Sequence, residues 1–272
     1  MSRMKITIII FILLFAMSIF LNWSNNSVVI TQYNYANEKI PKGFNNYKIV
    51  QLSDLHNKVF GKNQEKFMEK IKEIEPDAVV ITGDIVDKHR TKVNVAVDFV
   101  DQLTKIAPVY YINGNHEMVL DFNVSKELYD SMENSGVKLL LDDNVKIKSE
   151  GDDITIAGLS EETVFNGNIK PLDGMNEEFT ILLAHEPHHL MEYSQTKSDL
   201  VFCGHAHGGQ IRLPFIGGLY SPGQGVHPKL TSGIHKEGNT TMVISRGLGN
   251  SEFPFRVFNR PEIVVVTLQC NK

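Results

Sequence analysis

Five short blocks of this sequence carry side chains with oxygen or nitrogen donors: Asp54 and His56 in SDLH, Asp84 in TGD, Asn115 and His116 in GNHE, His185 in LAHEP, and His205 and His207 in CGHAH. Each block follows a hydrophobic run. Taken singly they have ordinary explanations: a Gly-Asp pair after a strand makes a turn, and one histidine at a strand end makes a structural hydrogen bond. GNHE is more telling, because Gly114 allows tight turning beside two polar side chains. In GHAHGG the two imidazoles share one side of an extended backbone, and the surrounding glycines let a metal or substrate approach. Five such blocks in order, each at the end of an apolar run, indicate one composite site.

The elements that must position these blocks follow from the spacing of apolar residues. Tyr47 to Leu52, Ala78 to Ile81 and Val109 to Ile112 read as buried strands. Between them lie two stretches with helical spacing: Phe67, Ile71 and Ile74 on one face, then Val93, Val97, Val100 and Leu103 on another. Strands alternating with helices imply crossover units and a largely parallel sheet, with the site in the crevice beyond the carboxyl ends of the strands. The second half is richer in strands. A hairpin is expected from Val145 to Lys148 and Ile154 to Ala157 around the turn-like Glu150 to Asp153, followed by strands at Phe179 to Ala184, Asp199 to Cys203, Thr241 to Ser245 and Ile263 to Leu268. Gly204 to Gly238 shows little periodicity and reads as a long functional loop.

Residues 6–21 are uncharged, preceded by Arg3 and Lys5 and followed by Trp23. This run is at the short end for a spanning helix. Only Ala16 and Ser18 resemble a cleavage site, and Ile19 to Leu21 continue the apolar run past them. The reading adopted is an uncleaved single-pass cell-membrane anchor, with secretion after signal cleavage as the alternative. The basic residues ahead of the segment predict an inside amino terminus and an extracytoplasmic body. The expected division is an anchor with its polar flank over 1–26, a juxtamembrane segment and edge strand over 27–46, and the main domain over 47–272. Cys203 and Cys270 are too few for a disulfide framework, and Cys203 reads as a buried, inert thiol. The net charge is −5, and without the first 26 residues 25 basic stand against 32 acidic residues, or −7. Such a body is not built for broad capture of nucleic acid.

The ordered set resembles the calcineurin-like metallophosphoesterase superfamily, whose signature is DxH, GD, GNH(E/D), H and GHxH. All five blocks match, over about Tyr47 to Leu268. The wording GHAHGGQIRLP and the amino-terminal anchor are similar to the bacterial membrane-associated phosphodiesterase branch, related to UDP-2,3-diacylglucosamine hydrolases. The resemblance implies an α/β fold of two packed mixed β-sheets flanked by helices, and a pair of divalent metal ions. Asp54, His56, Asp84 and His207 would hold one ion; Asp84, Asn115, His185 and His205 would hold the other, with Asp84 bridging. Carboxylate and imidazole ligands without thiolate suit manganese, iron or zinc. A hydroxide bridging the metals would attack phosphorus in line with the leaving alcohol. In the family's arrangement His116 faces the substrate and protonates or stabilises the leaving oxygen, the alternative being that it only orients Asn115 or Asp54.

Other polar residues carry weaker expectations. Arg212 and Arg246 lie near the expected rim and could clamp a phosphate bidentately. Glu117 and Glu186 read as solvent-facing or as supports behind the ligands, and His188 and His189 as surface residues at a helix start. His227 belongs to the long loop, while His89 and His235 carry no argument beyond proximity to loops. The function expected is hydrolysis of an envelope or lipid-linked phosphodiester. Alternatives are a phosphomonoesterase, including a protein phosphatase, and more remotely a scaffold that has lost catalysis. The last would be signalled by missing ligands, and none is missing. Hydrolysis of a nucleotide-linked glycolipid precursor is a cytoplasmic-face reaction, so the expected topology conflicts with that substrate analogy.

Overall fold

The computed structural model of the protein describes residues 3–271 except 174, 176, 177 and 252. The apolar amino-terminal run forms helix α1, Arg3–Asn26, which contains an 18-residue window of mean hydropathy 2.6 with none of it buried. By length and composition this helix can cross a membrane. It runs past the expected apolar segment because Asn22, Trp23, Ser24, Asn25 and Asn26 continue the helical turn.

The body is two six-stranded sheets. In chain order the strands are β1 (Val29–Asn37), β2 (Lys48–Leu52), β3 (Ala78–Thr82), β4 (Val109–Ile112), β5 (Lys138–Leu139), β6 (Asp143–Ser149), β7 (Asp152–Gly158), β8 (Thr180–Leu183), β9 (Leu200–Cys203), β10 (Gly233–Glu237), β11 (Thr240–Ile244) and β12 (Glu262–Cys270). The first sheet runs β1-β12-β2-β3-β4-β5, with β12 antiparallel to β2 and the remaining neighbours parallel. The second runs β10-β11-β9-β8-β7-β6, with hairpins at both edges and parallel strands between. Helices α2 (Glu65–Ile74), α3 (Val93–Thr104) and, after the one-turn α4 (Asn115–Met118), α5 (Phe122–Asn134) follow strands of the first sheet. Two packed mixed sheets flanked by helices are the fold that the sequence implies.

Alternation along the strands makes three apolar layers. Ile49, Val80, Tyr110 and Ile112 of the first sheet face Ile156, Ile181, Leu183 and Phe202 of the second. The other face of the first sheet, through Val50, Leu52, Val79 and Tyr111, packs on Phe67 and Ile71 of α2 and Phe99 and Leu103 of α3. The outer face of the second sheet is covered around Leu190 and Tyr193, where Cys203 lies fully buried.

Three details differ from the sequence expectation. In α3 the buried stripe is Ala96, Phe99, Val100 and Leu103; Val100 and Leu103 are as expected and Val93 packs half-buried on the same core, while Ala96 and Phe99 join the stripe and Val97 stands at its margin. Phe99 is the bulkiest apolar side chain of that helix, and turning it inward rotates the stripe. The hairpin turn shrinks to Glu150 and Gly151, with φ of 49° and 91°; positive φ at both centres matches the twist of the flanking strands. The long loop contains strand β10 and two short hairpins, Arg212–Leu213 with Gly217–Gly218 and Tyr220–Ser221 with Gly225–Val226. These lack an apolar signature because β10 is largely exposed and the hairpin strands are two residues long.

Candidate metal centre

The polar blocks stand at the carboxyl ends of the strands in both sheets. β2 leads to Asp54 and His56, β3 to Asp84, β4 to Asn115 and His116, β8 to His185, and β9 to His205 and His207. The turns that carry them are tight: Asp54, His56, Asp84, His205 and His207 all have left-handed backbones, with φ of 52°, 46°, 54°, 63° and 46°. For residues with a Cβ this conformation costs about 1–3 kcal/mol each and persists only where the surroundings enforce it. Here the loops are stapled to one another: Asp54 N–H donates to Gly83 O at 3.0 Å, His56 N–H to Asp84 O at 3.0 Å, and Gly204 N–H to His185 O at 3.0 Å. At Gly204 a Cβ would lie 1.9 Å from Ser53 Oγ and 2.6 Å from Asp54 Oδ2, so this approach of two loops requires glycine.

Asp84 sits between two groups of donors. Its Oδ2 is 3.6 Å from His56 Nε2 on one side and 3.3 Å from His185 Nε2 on the other, while Oδ1 accepts the His116 N–H at 2.9 Å. On the first side His56 Nε2 and His207 Nε2 are 3.1 Å apart, and His207 Nε2 is 3.5 Å from Asp54 Oδ1. On the second side Asn115 Oδ1 is 2.9 Å from His205 Nδ1 and 3.3 Å from His185 Nε2. Asp54, His56, Asp84 and His207 converge as one set, and Asp84, His185 and His205 as another, all of them buried. The seven expected ligands are thus brought together.

The electrostatics fit cations. Burial drives His56 down to about 3 and His205 down to about 4, and holds His207 well below its ordinary value, so these rings are neutral and offer lone pairs. Burial opposes ionisation of Asp84, but the imidazoles of His185, His56 and His116 outweigh it and hold its carboxyl well below the usual range. Asp54 is pushed up to about 6 by burial, against the pull of His185 and with the push of Asp84; its Oδ2 is buried without a hydrogen-bond partner. An orphaned carboxylate oxygen and two facing imidazole nitrogens are what bound divalent ions would satisfy.

His116 does not belong to either set. Its Nδ1 lies 3.1 Å from the Lys88 backbone nitrogen, which can only donate, so the neutral ring carries its proton on Nε2. That nitrogen is 4.0 Å from Asp84 Oδ2 and 3.4 Å from Ser251 Oγ. Above it opens a cavity of about 410 Å³, walled by Lys88, Gln210, Tyr220, Pro222, Ser251 and Phe253, with Asp84, Asn115, His205 and His207 at its base.

The model of the calcineurin-like phosphoesterase family matches residues 47–209. The chain belongs to that family. This calcineurin-like phosphoesterase is 31% identical over 247 residues to the uncharacterised metallophosphoesterase YkuE of Bacillus subtilis, covering 88% of this chain and 85% of YkuE. It is 24% identical over 198 residues to the phosphodiesterase YaeI of Escherichia coli, covering 72% of each. A transmembrane protein with a metallophosphoesterase domain from Bos taurus is 30% identical over 256 residues, or 85% of this chain and 55% of that protein. The family makes the chain a metal-dependent phosphoester hydrolase.

The arginines expected at the rim of this phosphoesterase are engaged elsewhere. Arg246 Nη2 donates to Glu262 Oε1 at 2.8 Å, because that buried carboxylate at the start of β12 needs a counter-charge. Arg212 Nη1 donates to Gly208 O at 2.8 Å and Thr231 Oγ1 at 3.2 Å, bracing the GHAHGG turn. His188 and His189, expected at the surface, are half-buried around Glu186, each with Nε2 3.4 Å from Oε2. His227 is exposed, and His235 Nε2 faces Ser232 O.

Several supporting residues had no advance role. Asn259 Nδ2 donates to His207 O at 2.6 Å and Gln210 O at 2.9 Å. The buried Arg256 donates to Arg246 O at 2.9 Å and to Gly249 O, and its Nη2 lies 3.4 Å from His207 Nδ1. Neither had a local sequence signal, since the partners are backbone groups or rings distant in the chain. Glu117, weighed as solvent-facing or supporting, is the latter. It is 1% exposed and accepts the backbone N–H groups of Asp84 (2.8 Å), Gly114 (2.9 Å) and Val86 (3.0 Å). Glu117→Gln keeps the shape but turns an acceptor into a donor facing N–H groups; it should destabilise the fold by about 2 kcal/mol. Urea denaturation checks this, and an unchanged midpoint would refute the acceptor role.

Proposed function

We propose that the chain is a membrane-anchored phosphodiesterase with a dinuclear metal site. What supports this most directly is the position of Asp84, whose Oδ2 lies within 3.6 Å of His56 Nε2 and 3.3 Å of His185 Nε2, beneath a cavity that His116 borders. Asp54, His56, Asp84 and His207 would hold one divalent ion and Asp84, Asn115, His185 and His205 a second, of manganese, iron or zinc. When bound, two such ions supply hydroxide near neutral pH and neutralise charge on phosphoryl oxygens.

The chain's own groups do the rest. Asn115 adds an oxygen donor without a charge, so the centre keeps a positive sign toward phosphate. Lys88 N–H fixes the His116 tautomer, leaving Nε2–H free to donate to the leaving oxygen of a bound ester. Tyr220, Pro222 and Phe253 wall the cavity in which the phosphoester would sit. A phosphodiester is favoured over a monoester by the likeness to YaeI, a phosphodiesterase. Arg3 and Lys5 in the first turn of α1 favour an inside amino terminus, which puts the domain outside the cytoplasm, where envelope or lipid-linked diesters are found.

Asp84→Asn should lower bound metal and hydrolysis together, read by elemental analysis and rate; a variant retaining both would refute bridging. His116→Ala should keep its metal but lose about 10²- to 10⁴-fold in rate, with the larger losses on esters with poor leaving groups; equal losses across leaving groups would remove the donor role. For the full chain, a bis-aryl phosphate should be hydrolysed faster than its mono-aryl counterpart, and a reversed preference would favour the monoesterase. A compartment-sensitive reporter fused after Lys272 should report the extracytoplasmic side; a cytoplasmic signal would reverse the topology.

A further inference from the structure

One group of exposed apolar residues lies around the mouth of the metal cavity and the base of α1, while others, such as Phe122, Phe165 and Met191, stand singly on other elements. Tyr220 and Phe253, 52% and 42% exposed, stand on the cavity wall. Phe255 lines a second cavity of about 610 Å³ whose other wall is Leu14, Met17 and Leu21 of α1. Phe258 meets Phe20 of α1 in a tilted contact with ring centroids 5.2 Å apart, yet stays 56% exposed. Beside it, the Arg212 N–H donates to Val257 O at 3.0 Å, which hangs the Arg212–Gly218 hairpin there; its tip carries the exposed Phe215 and Ile216. Contiguous exposed apolar surface of this kind marks an interaction site.

The docking of α1 identifies what covers it. Ser24 is buried, and Asn25 Oδ1 accepts from Asn250 Nδ2 at 2.8 Å and from the Arg256 N–H at 3.1 Å. The Arg260 guanidinium lies 4.8 Å over the Trp23 ring and donates to Ser27 O at 2.9 Å. The end of α1 is therefore held against the body beside the site. The groove along α1 is graded: Leu14 and Met17 are apolar, Asn22, Asn25 and Asn250 are amides, and Lys58 and His56 lie among its walls as well. That sequence of chemistries matches passage from acyl chains to a phosphate-bearing headgroup.

We propose that Phe215, Ile216, Phe253, Phe255 and Phe258 form a collar that enters the bilayer surface, and that the phosphoester hydrolysed belongs to an amphiphile whose apolar part stays in the membrane. This rests on the reading of α1 as a membrane anchor. The collar continues the apolar surface of α1 to the cavity mouth, so a bilayer-resident ester reaches Asp84 and His116 without crossing water. A soluble diester or a polar wall polymer would find no use for an aromatic rim at this level.

Brominated lipid tests the collar without depending on activity. The full chain is reconstituted in phosphatidylcholine vesicles containing phosphatidylglycerol, with brominated or plain acyl chains. Trp23, the only tryptophan, reports α1; Phe215→Trp and Phe255→Trp, each in a Trp23→Phe background, report the collar. Quenching is expected at all three positions. Quenched Trp23 with no quenching at 215 and 255 would overturn the collar and leave the anchor standing, as a protein interface there would require. Unquenched Trp23 would remove the anchor and the proposal with it. For the substrate, Phe215→Ser with Phe255→Ser should lower the rate on vesicle-borne phosphodiester lipids by about tenfold or more, while the bis-aryl phosphate rate is retained. A chain that hydrolyses the aryl diester but none of a panel of vesicle-borne diesters would overturn the substrate assignment.

Discussion

Asp84 and Asp54 bring two carboxylates into a space lined by five imidazoles that water barely enters, and the rest of the structure is arranged around that convergence. A buried carboxylate is unfavourable unless cations or hydrogen bonds oppose its charge. The protein satisfies the two acids unequally. Asp84 has the His116 N–H on Oδ1 and ring nitrogens of His56 and His185 near Oδ2. Asp54 accepts the His205 N–H on Oδ1 at 2.9 Å and leaves Oδ2 with no partner. Burial holds His56, His205 and His207 in their neutral forms, whereas at His185 burial is outweighed by Asp84 and the ring is held well above its ordinary value, so one imidazole alone of these four offsets the two acids. With Asp54 Oδ2 still unpartnered and neutral rings turned toward the carboxylates, the site keeps a place for added positive charge, in keeping with the metal dependence of the family.

Holding such a site demands rigidity just below it. The two sheets present their carboxyl ends to the same crevice, so ligands nearly a whole domain apart in sequence become neighbours without long connecting loops. Gln51 crosses between the sheets beneath the site: its Nε2 donates to Thr82 Oγ1 at 3.0 Å and to Cys203 O at 2.8 Å, tying β3 and β9 at the roots of the Asp84 and His205 loops. Glu117 draws together the Asp84 and Gly114 turns, and Asn259 closes over the His207 turn. These contacts enforce the left-handed backbones that turn the ligands inward. Catalytic geometry here is a property of the sheet pair and its polar ties.

How much of this was legible in the sequence depended on how far each residue's partner lies from it. The parallel strands are almost continuously apolar, as in AVVIT and LVFC, and each ends in its ligand, so strand and site were read from one local pattern. The α3 stripe was read in part: Val100 and Leu103 are buried and Val93 packs beside them, but the valine spacing left out Ala96 and Phe99, which share the core with Val79 and Val109. β10 was unreadable: its exposed GIHKE carries no core pattern and is fixed by pairing with β11. Arg212 and Arg246 looked suited to phosphate because a sequence shows a guanidinium's charge but not the Glu262 carboxylate or Gly208 carbonyl already using it. Glu117 was visible beside its ligands, and its bond from the Gly114 N–H is a local cap within GNHE, yet its Asp84 and Val86 donors appear only once β3 and β4 are side by side.

On the proposed reading of α1 as a membrane anchor, the charge of the body bears on how the enzyme meets its substrate. At −7 beyond the first 26 residues, it has no general attraction to an anionic surface, which would instead repel it. Approach must then come from elsewhere, and α1 as an anchor would supply it mechanically. Strand β1 begins at Val29, three residues after α1 ends, and Asn25 and Ser27 are bonded to the body, so no flexible linker separates helix from domain. A long polar tether would let the domain sample distances that grow with the square root of its length; this junction fixes the site's height and orientation relative to the helix. The general negative charge then keeps polyanions from the body at large, while attraction for phosphate would be confined to the one point where the proposed divalent ions reverse the local sign.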